Sequence, residues 1–208
     1  MAGLVIGLTG GTGTGKTALA GYLRRLGAAY YSVDAAAHVL YARDRGLVDR
    51  LVRIFGPRVA GPGGVDRAAL GTAAFGSAGA LSRLNAAIQS PLRREARAAI
   101  ARMRLRHRVT VVEAGAILFD LGLAPLADRI VVTRCGSAVR RRRLARRRGM
   151  RAAEVCRRMA ILRPAESRML AAARRCRRAR LVETGGSPES LGALAVRLMG
   201  EGYGLRAV

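Results

Sequence analysis

Residues 10–17 read Gly10-Gly11-Thr12-Gly13-Thr14-Gly15-Lys16-Thr17, and this stretch decides the fold. It fits Gly-x-x-x-x-Gly-Lys-Thr, the P-loop pattern, in which glycines let backbone N–H groups curl around phosphates. The lysine of the pattern reaches the β- and γ-phosphates, and the threonine hydroxyl holds Mg²⁺. Lys16 is also the only lysine of the chain, since the other 37 of its 38 basic residues are arginines. We therefore expect residues 11–17 to bind a nucleoside triphosphate, with Thr17 at the metal.

The residues on either side of this loop support that interpretation. Leu4–Leu8 is an apolar run typical of a buried strand, and residues 18–23 have the composition of a helix. A flexible glycine-rich loop without function is the alternative, but it does not require a strand before it and a helix after it. The local context favours a phosphate-binding loop.

Strand-like runs recur along the chain with helical segments between them. This alternation predicts an α/β fold with a parallel sheet covered by helices on both faces, which is the three-layer P-loop NTPase architecture. The first and third runs are almost entirely apolar, as expected for central strands. The five predicted strands are Leu4–Leu8, Ala29–Val33, Val109–Val112, Arg129–Val132 and Arg180–Val182.

Two long helical segments interrupt the predicted sheet, although residues 1–208 are expected to form a single domain. Residues 35–106 are too long for a simple crossover, and we interpret them as a helical subdomain for the acceptor substrate. Breaks are predicted at Gly56-Pro57, at residues 61–64 and at Pro91. Residues 137–178 are interpreted as an arginine-rich helical lid that Gly149 and Pro164 divide. Ser187 and Pro188 are expected to begin the last helix.

The formal charge of +25 is concentrated in the second segment, where Arg134 to Arg180 contains 18 arginines and only two glutamates. Such a surface suits either nucleic acid or a polyphosphate ligand. Aromatic side chains for base stacking are missing from this stretch, and no nucleic-acid-binding motif is present. We therefore expect a polyanionic small molecule as the partner and no nucleic acid in the main activity.

Other global features predict a cytoplasmic protein, while the sequence leaves the oligomeric state open, with a monomer favoured. No stretch reaches 18 apolar residues, so no membrane span is expected, and no leader peptide is recognised at the start of the chain. Cys135, Cys156 and Cys176 form no C-x-x-C pair and are odd in number, which indicates reduced thiols.

Three acidic residues follow predicted strands and are candidates for catalysis. Asp34 is either a general base for an acceptor hydroxyl or the N-cap of the following helix, and the sequence does not separate these roles. Glu113 or Asp120 could hold Mg²⁺ through water, although Asp120 also suits a turn.

The arginine run offers candidates for stabilising a transferring phosphoryl group. Arg143 and Arg147 are four residues apart on a predicted helix and therefore share a face. Positioned over the phosphates, they could neutralise charge that develops during transfer. Most of the other arginines in the run must face solvent.

Taken together, these segments resemble the dephospho-CoA kinase family over nearly the whole chain. The opening Ile6–Thr17 is similar to the family's first motif, and residues 32–38 are similar to its second-strand motif, which implies that Asp34 is the base. Further similarity lies in residues 55–56, 85–92, 117–123 and 128–132, in the lid residues Arg143, Leu144, Arg147, Arg158, Pro164 and Arg168, and in the turn 186–189. The resemblance implies transfer of the γ-phosphoryl group of ATP to the ribose 3′-hydroxyl of dephospho-CoA, the last step of coenzyme A biosynthesis.

Several positions depart from the family's pattern. Residues 113–116 lack the usual proline and hold one extra residue. Ser32, Ser90, Arg148, Leu162 and Thr184 stand where the family usually has an aspartate, a histidine, an aspartate, a glutamine and an asparagine. These departures leave open a kinase of the same fold with a different acceptor, or a nucleic-acid-associated P-loop ATPase.

Overall fold

Five parallel strands form the central sheet of the protein. The computed structural model describes residues 2–203, without the side chains of residues 147, 148 and 201–203. The sheet has the order β2-β5-β1-β6-β7, and a short antiparallel hairpin, β3-β4, lies apart from it. All five strands predicted from the sequence are confirmed. The strands are β1 (Leu4–Gly10), β2 (Ala29–Ser32), β3 (Ala60–Gly61), β4 (Gly64–Val65), β5 (Val109–Glu113), β6 (Arg129–Arg134) and β7 (Ala179–Glu183).

Helices cover both faces of the sheet, so the predicted three-layer α/β fold is confirmed. On β1, Ile6 and Leu8 pack on the layer that contains α1 and α8, while Val5 packs on the opposite layer with α2, α3, α5 and α7. This alternation follows from the two-residue period of a strand. The helices are α1 (Lys16–Arg25), α2 (Val33–Arg43), α3 (Arg45–Phe55), α4 (Arg67–Ala74), α5 (Ala78–Arg106), α6 (Ser137–Arg148), α7 (Ala152–Arg175) and α8 (Pro188–Tyr203).

The carboxyl ends of the strands meet at one edge of the sheet. Because β1 and β5 are neighbours and both are buried, the loop after Gly10 lies beside Glu113 at the end of β5. Thr184 follows β7 at the same edge. In open parallel sheets this edge is where ligands bind, so the fold brings distant parts of the chain to one place.

Two predicted helix breaks are wrong, because Pro91 lies inside α5 and Pro164 lies inside α7. A proline inside a helix removes the N–H that would bond the carbonyl four residues earlier, which for Pro91 is that of Ala87. Here Arg50 Nη1, from α3, donates to the Ala87 oxygen at 3.1 Å. The neighbouring helix therefore supplies the donor that the proline lacks, and α5 continues for 29 residues.

Other predicted boundaries are confirmed. Gly56 ends α3 with φ 87°, and Gly149 separates α6 from α7 with φ 59°, both in the left-handed region that glycine tolerates. Ser187 Oγ accepts a hydrogen bond from Ser190 N at 3.4 Å and so caps α8, with Pro188 in the first helical position. No helix within residues 2–203 is long and apolar enough to cross a membrane.

The replacement of a backbone donor by Arg50 can be tested with a double-mutant cycle. Arg50→Met should lower the free energy of unfolding by about 0.5–1.5 kcal/mol in the wild type, the usual net value of one hydrogen bond. In a Pro91→Ala background the restored backbone N–H of that position can serve the Ala87 carbonyl, so Arg50→Met should cost almost nothing. Urea unfolding of the four proteins measures this coupling.

The matched control is Arg53→Met, an exposed position on the same helix. It should have the same small effect in both backgrounds. An equal cost of Arg50→Met with and without Pro91 would contradict the explanation.

Candidate active site

A cleft of about 650 Å³ opens at the carboxyl edge of the sheet. Residues 10–17 form its floor, and Asp34 and Glu113 stand beside them. Phe75, which follows α4, and residues of α5, α6, α7 and α8 complete the walls, so both long helical segments face the same space. A cleft of this size is typical of small-molecule sites.

The carbonyl groups of residues 10–14, in the loop at the cleft floor, are all held by side chains. Lys16 Nζ donates to the oxygens of Gly10 and Gly11 at 2.9 and 2.8 Å, and Arg140 Nε donates to Thr12 O at 2.8 Å. The thiol of Cys135 contacts Gly13 O at 3.8 Å, and the Thr184 hydroxyl donates to Thr14 O. With its carbonyls held in this way, the loop can present its N–H groups to an anion, as a phosphate-binding loop must.

Three threonine hydroxyls support the loop from below. The Thr14 hydroxyl donates to Gly11 O at 2.8 Å, and its oxygen lies 2.7 Å from that of Thr133. Thr184 is 1% exposed, and its hydroxyl oxygen also lies 2.8 Å from Arg134 O, which accepts a hydrogen bond from the Thr184 backbone N–H at 2.9 Å. Gly13 and Gly15 adopt φ 75° and 90°, which side chains with a Cβ rarely allow. The loop is therefore fixed by its own glycines and by strands β6 and β7.

Lys16 is a half-buried cation at the centre of the cleft. Burial lowers the pKa of its ammonium, while the negative charges of Glu113, Asp34 and Glu166 oppose that shift. The ammonium of Lys16 is therefore attracted electrostatically to these three carboxylates. The lysine of the sequence pattern therefore lies among charged residues in the cleft.

Thr17 and Glu113 place hard oxygen ligands side by side. The Thr17 hydroxyl donates to Glu113 Oε1 at 2.8 Å, and the Tyr30 hydroxyl donates to Oε2 at 2.7 Å. Burial, and next its hydrogen bond to Glu113, raises the pKa of Tyr30 to about 12, so the phenol keeps its proton. Asp120, the other candidate of the sequence, instead pairs with Arg168 at 3.3 Å and lies outside the cleft wall.

Asp34 lies in the first turn of α2 and lines the cleft. The N-cap of this helix is Ser32, whose hydroxyl accepts from Ala35 N at 3.2 Å. The alternative in which Asp34 is the N-cap is therefore wrong. The carboxylate of Asp34 is exposed and free of that structural task, which leaves it available to a ligand in the cleft.

The two lid arginines predicted as site residues have different outcomes. Arg143 lines the cleft and donates through Nη2 to Thr184 O at 2.7 Å. The side chain of Arg147 lies outside the described residues, and so does that of Arg148. Arg158, on α7, stacks over the ring of Phe75 at 3.9 Å and joins the lid to the segment that follows α4.

Sequence reasoning assigned no role to three residues that bond the loop at the cleft floor. Arg140 belongs to an arginine run that looks uniform, and Glu166 and Thr184 are single polar residues whose neighbours carry no chemical pattern. Their partners are distant along the chain, as for Thr12 and Arg140, which are 128 positions apart. The rare glutamates within the arginine-rich segment were the one available signal, because an isolated acid among many bases tends to be paired.

The fold and the cleft define a class, that of P-loop small-molecule kinases. The sequence profile of the dephospho-CoA kinase family matches residues 4–177. The chain is 34% identical over 198 residues to the dephospho-CoA kinase of Anaeromyxobacter dehalogenans (strain 2CP-C), which covers 95% of this chain and 91% of that protein. The chain therefore belongs to the dephospho-CoA kinase family, and it is a kinase.

Solved structures agree with this placement. TT1252 from Thermus thermophilus superposes with a TM-score of 0.71 at 27% identity, over 97% of this chain and 98% of that one. A dephospho-CoA kinase from Campylobacter jejuni superposes with a TM-score of 0.67 over the same shares of the two chains. Because its identity is only 15%, that second likeness supports the fold alone.

The support given by Thr184 can be tested by removing its hydroxyl without changing its shape. Thr184→Val leaves the carbonyl of the buried Thr14 without this donor, and we expect a loss of about 1–3 kcal/mol in unfolding free energy. Urea unfolding measures the loss.

Thr110→Val is the matched control, since Thr110 is equally buried and its hydroxyl has no hydrogen-bond partner among the described residues. That change should be neutral or stabilising. A similar cost for both variants would mean that the Thr184 hydroxyl contributes no more than its volume.

Proposed function

We propose that this protein transfers the γ-phosphoryl group of ATP to the 3′-hydroxyl of the ribose of dephospho-CoA, giving CoA and ADP. One observation carries the proposal: Lys16, Asp34 and Arg143 face a single cleft between the phosphate-binding loop and the helical segment 35–106. The family membership supports dephospho-CoA as the acceptor. Action as a cytoplasmic monomer is part of the proposal.

The phosphate-binding loop positions ATP. The backbone N–H groups of Gly11, Thr12, Gly13, Thr14, Gly15 and Lys16 would surround its phosphates, and Lys16 would turn its ammonium from the Gly10 and Gly11 carbonyls to the β- and γ-oxygens. Lysine suits this task because it is a compact charge on a flexible stem. These groups orient the donor and offset its negative charge.

Mg²⁺ fits the oxygen donors beside the loop. Thr17 would hold it directly and Glu113 through water, because a hydroxyl and a carboxylate 2.8 Å apart match the preference of this ion. Tyr30 would fix the direction of the carboxylate through its bond to Oε2. When bound, the ion would neutralise charge on the β- and γ-phosphates. No group of three or more His, Cys, Asp or Glu side chains in the described part of the chain forms a metal site of its own.

Asp34 would accept the proton of the acceptor hydroxyl as the O–P bond forms. It stands on the proposed acceptor side of the cleft, which Phe75 and residues of α5 also line. Arg143, together with Arg147, would cover the transferring group from the lid. Asp34 and the two arginines therefore complete the proposed catalytic set with Lys16.

The proposal is tested first by acceptor dependence. ADP release should require dephospho-CoA and should not respond to nucleosides, shikimate, DNA or RNA. A rate that instead depends on added polynucleotide would replace the proposal with a nucleic-acid-dependent ATPase.

Lys16 provides a sharper test within the same assay. Lys16→Ala should abolish transfer, and Lys16→Arg should lose most of it, because a planar guanidinium does not replace a point charge inside the loop. The control is Arg141→Lys, an equivalent exchange at an exposed position of α6, which should keep turnover within a few-fold. Near wild-type turnover of Lys16→Arg would refute the role given to the lysine.

Asp34→Asn tests the base. We expect turnover to fall about a hundredfold or more, the range for a lost general base, while the melting temperature stays unchanged because Ser32 caps α2. Asp66→Asn removes the same charge at the N-cap of α4, where asparagine caps equally well, and should leave turnover within a few-fold. If both variants keep full turnover, another group must take the proton.

A further inference from the structure

Glu166 is a carboxylate located where the phosphate-binding loop is built to receive an anion. Its Oε1 accepts a hydrogen bond from the backbone N–H of Thr12 at 3.1 Å. It lies so close over the loop that a Cβ added to Gly11 would come within 2.6 Å of the carboxyl carbon. A backbone N–H of this loop, which the proposed function assigns to phosphate, is thus bound to a side chain of α7.

Arg140 completes this arrangement from α6. Its Nη2 lies 2.6 Å from Glu166 Oε1, and its Nε donates to Thr12 O at 2.8 Å. The side chains of the two residues are only 15% and 13% exposed. Both helices of the lid are therefore attached to the same residue of the loop through one ion pair.

Burial makes the ion pair between Arg140 and Glu166 costly in free energy. Burying two charges removes their hydration, and the attraction between them often only compensates that loss. A phosphate entering the loop would face a negative charge a few Å away, which opposes binding, and a guanidinium that is already oriented, which favours it. A phosphate that enters the loop would therefore have to displace Glu166, which costs free energy, and would gain the interaction with Arg140.

We propose that Glu166 occupies the anion position of the loop when no nucleotide is bound, and that the phosphates of the nucleotide displace it and take over Arg140. Glu166 is then a positioning residue, which holds Arg140 at the loop and keeps the lid closed over it. Arg140 becomes a further phosphate-binding residue beside Lys16. The inference rests on the proposed nucleotide site, and its test separates the two.

The test is calorimetric binding of ADP, AMP and adenosine to wild type and to Glu166→Gln. Glutamine keeps the shape and the hydrogen-bond acceptor but removes the competing charge. Affinity for ADP should rise roughly tenfold or more, as expected when a like charge within a few Å of the phosphates is lost. Adenosine has no phosphate, so its affinity should not change, and AMP should show a smaller effect than ADP.

Glu183→Gln is the matched control. Glu183 also pairs with an arginine at 2.6 Å, that of Arg134, but the side chains of both partners are 60% or more exposed. The same change of charge there should alter no affinity by more than about twofold, because exposed pairs contribute little. Glu166→Asp provides a second variant, since its shorter carboxylate cannot keep both contacts and should also bind ADP more tightly than wild type.

The other outcomes are equally clear. Unchanged or weaker ADP binding by Glu166→Gln, with a folded protein by circular dichroism, would make Glu166 a permanent brace of the loop and overturn the inference. An equal gain for adenosine would overturn it too, because the effect would not involve phosphate. If wild type binds neither ADP nor ATP, the proposed function itself fails. Arg140→Gln should lower ADP affinity, and unchanged affinity would remove Arg140 from the phosphate site.

Discussion

The site depends on one constraint, which is that a loop offering its N–H groups to phosphate must find donors for its own carbonyls. In this protein the donors are side chains, and they reach different parts of the loop. The donor side chains come from separate elements: Lys16 lies on α1, Arg140 lies on α6, and Thr184 follows β7. Buried carbonyls without partners would cost free energy. The loop geometry is therefore maintained by tertiary structure and not by its glycines alone.

This constraint also explains how the lid is related to the loop. The Thr184 carbonyl accepts a hydrogen bond from Arg143, and the Thr184 hydroxyl donates one to the carbonyl of Thr14. Thr184 therefore connects Arg143 to the loop backbone. Arg140 does the same through Thr12. Since both arginines are held by hydrogen bonds to backbone atoms at the loop, their positions are fixed before any ligand enters. In the proposed function, such preorganisation would reduce the reorganisation that phosphoryl transfer requires.

The sequence predicted the sheet and the central loop because both are encoded locally. A run such as Val109–Val112 is apolar regardless of its neighbours, and residues 10–17 carry their pattern in eight adjacent positions. The predicted breaks at Pro91 and Pro164 were both wrong, and for Pro91 the reason is a tertiary contact that overrides the local preference, the bond from Arg50 to the Ala87 carbonyl. Glu166 was missed for the same reason, since its partner Thr12 is 154 positions away.

The bonds made around the loop distinguish Lys16 from Arg140 and Arg143. Arg140 and Arg143 each bond two groups at once, which a planar guanidinium with several donors does well. Lys16 reaches two adjacent carbonyls from within the loop and, in the proposed function, would release them for the phosphates, which a compact ammonium on a flexible chain can do. Arginine at positions 140 and 143 and lysine at position 16 are therefore each suited to the bonds that the structure shows there.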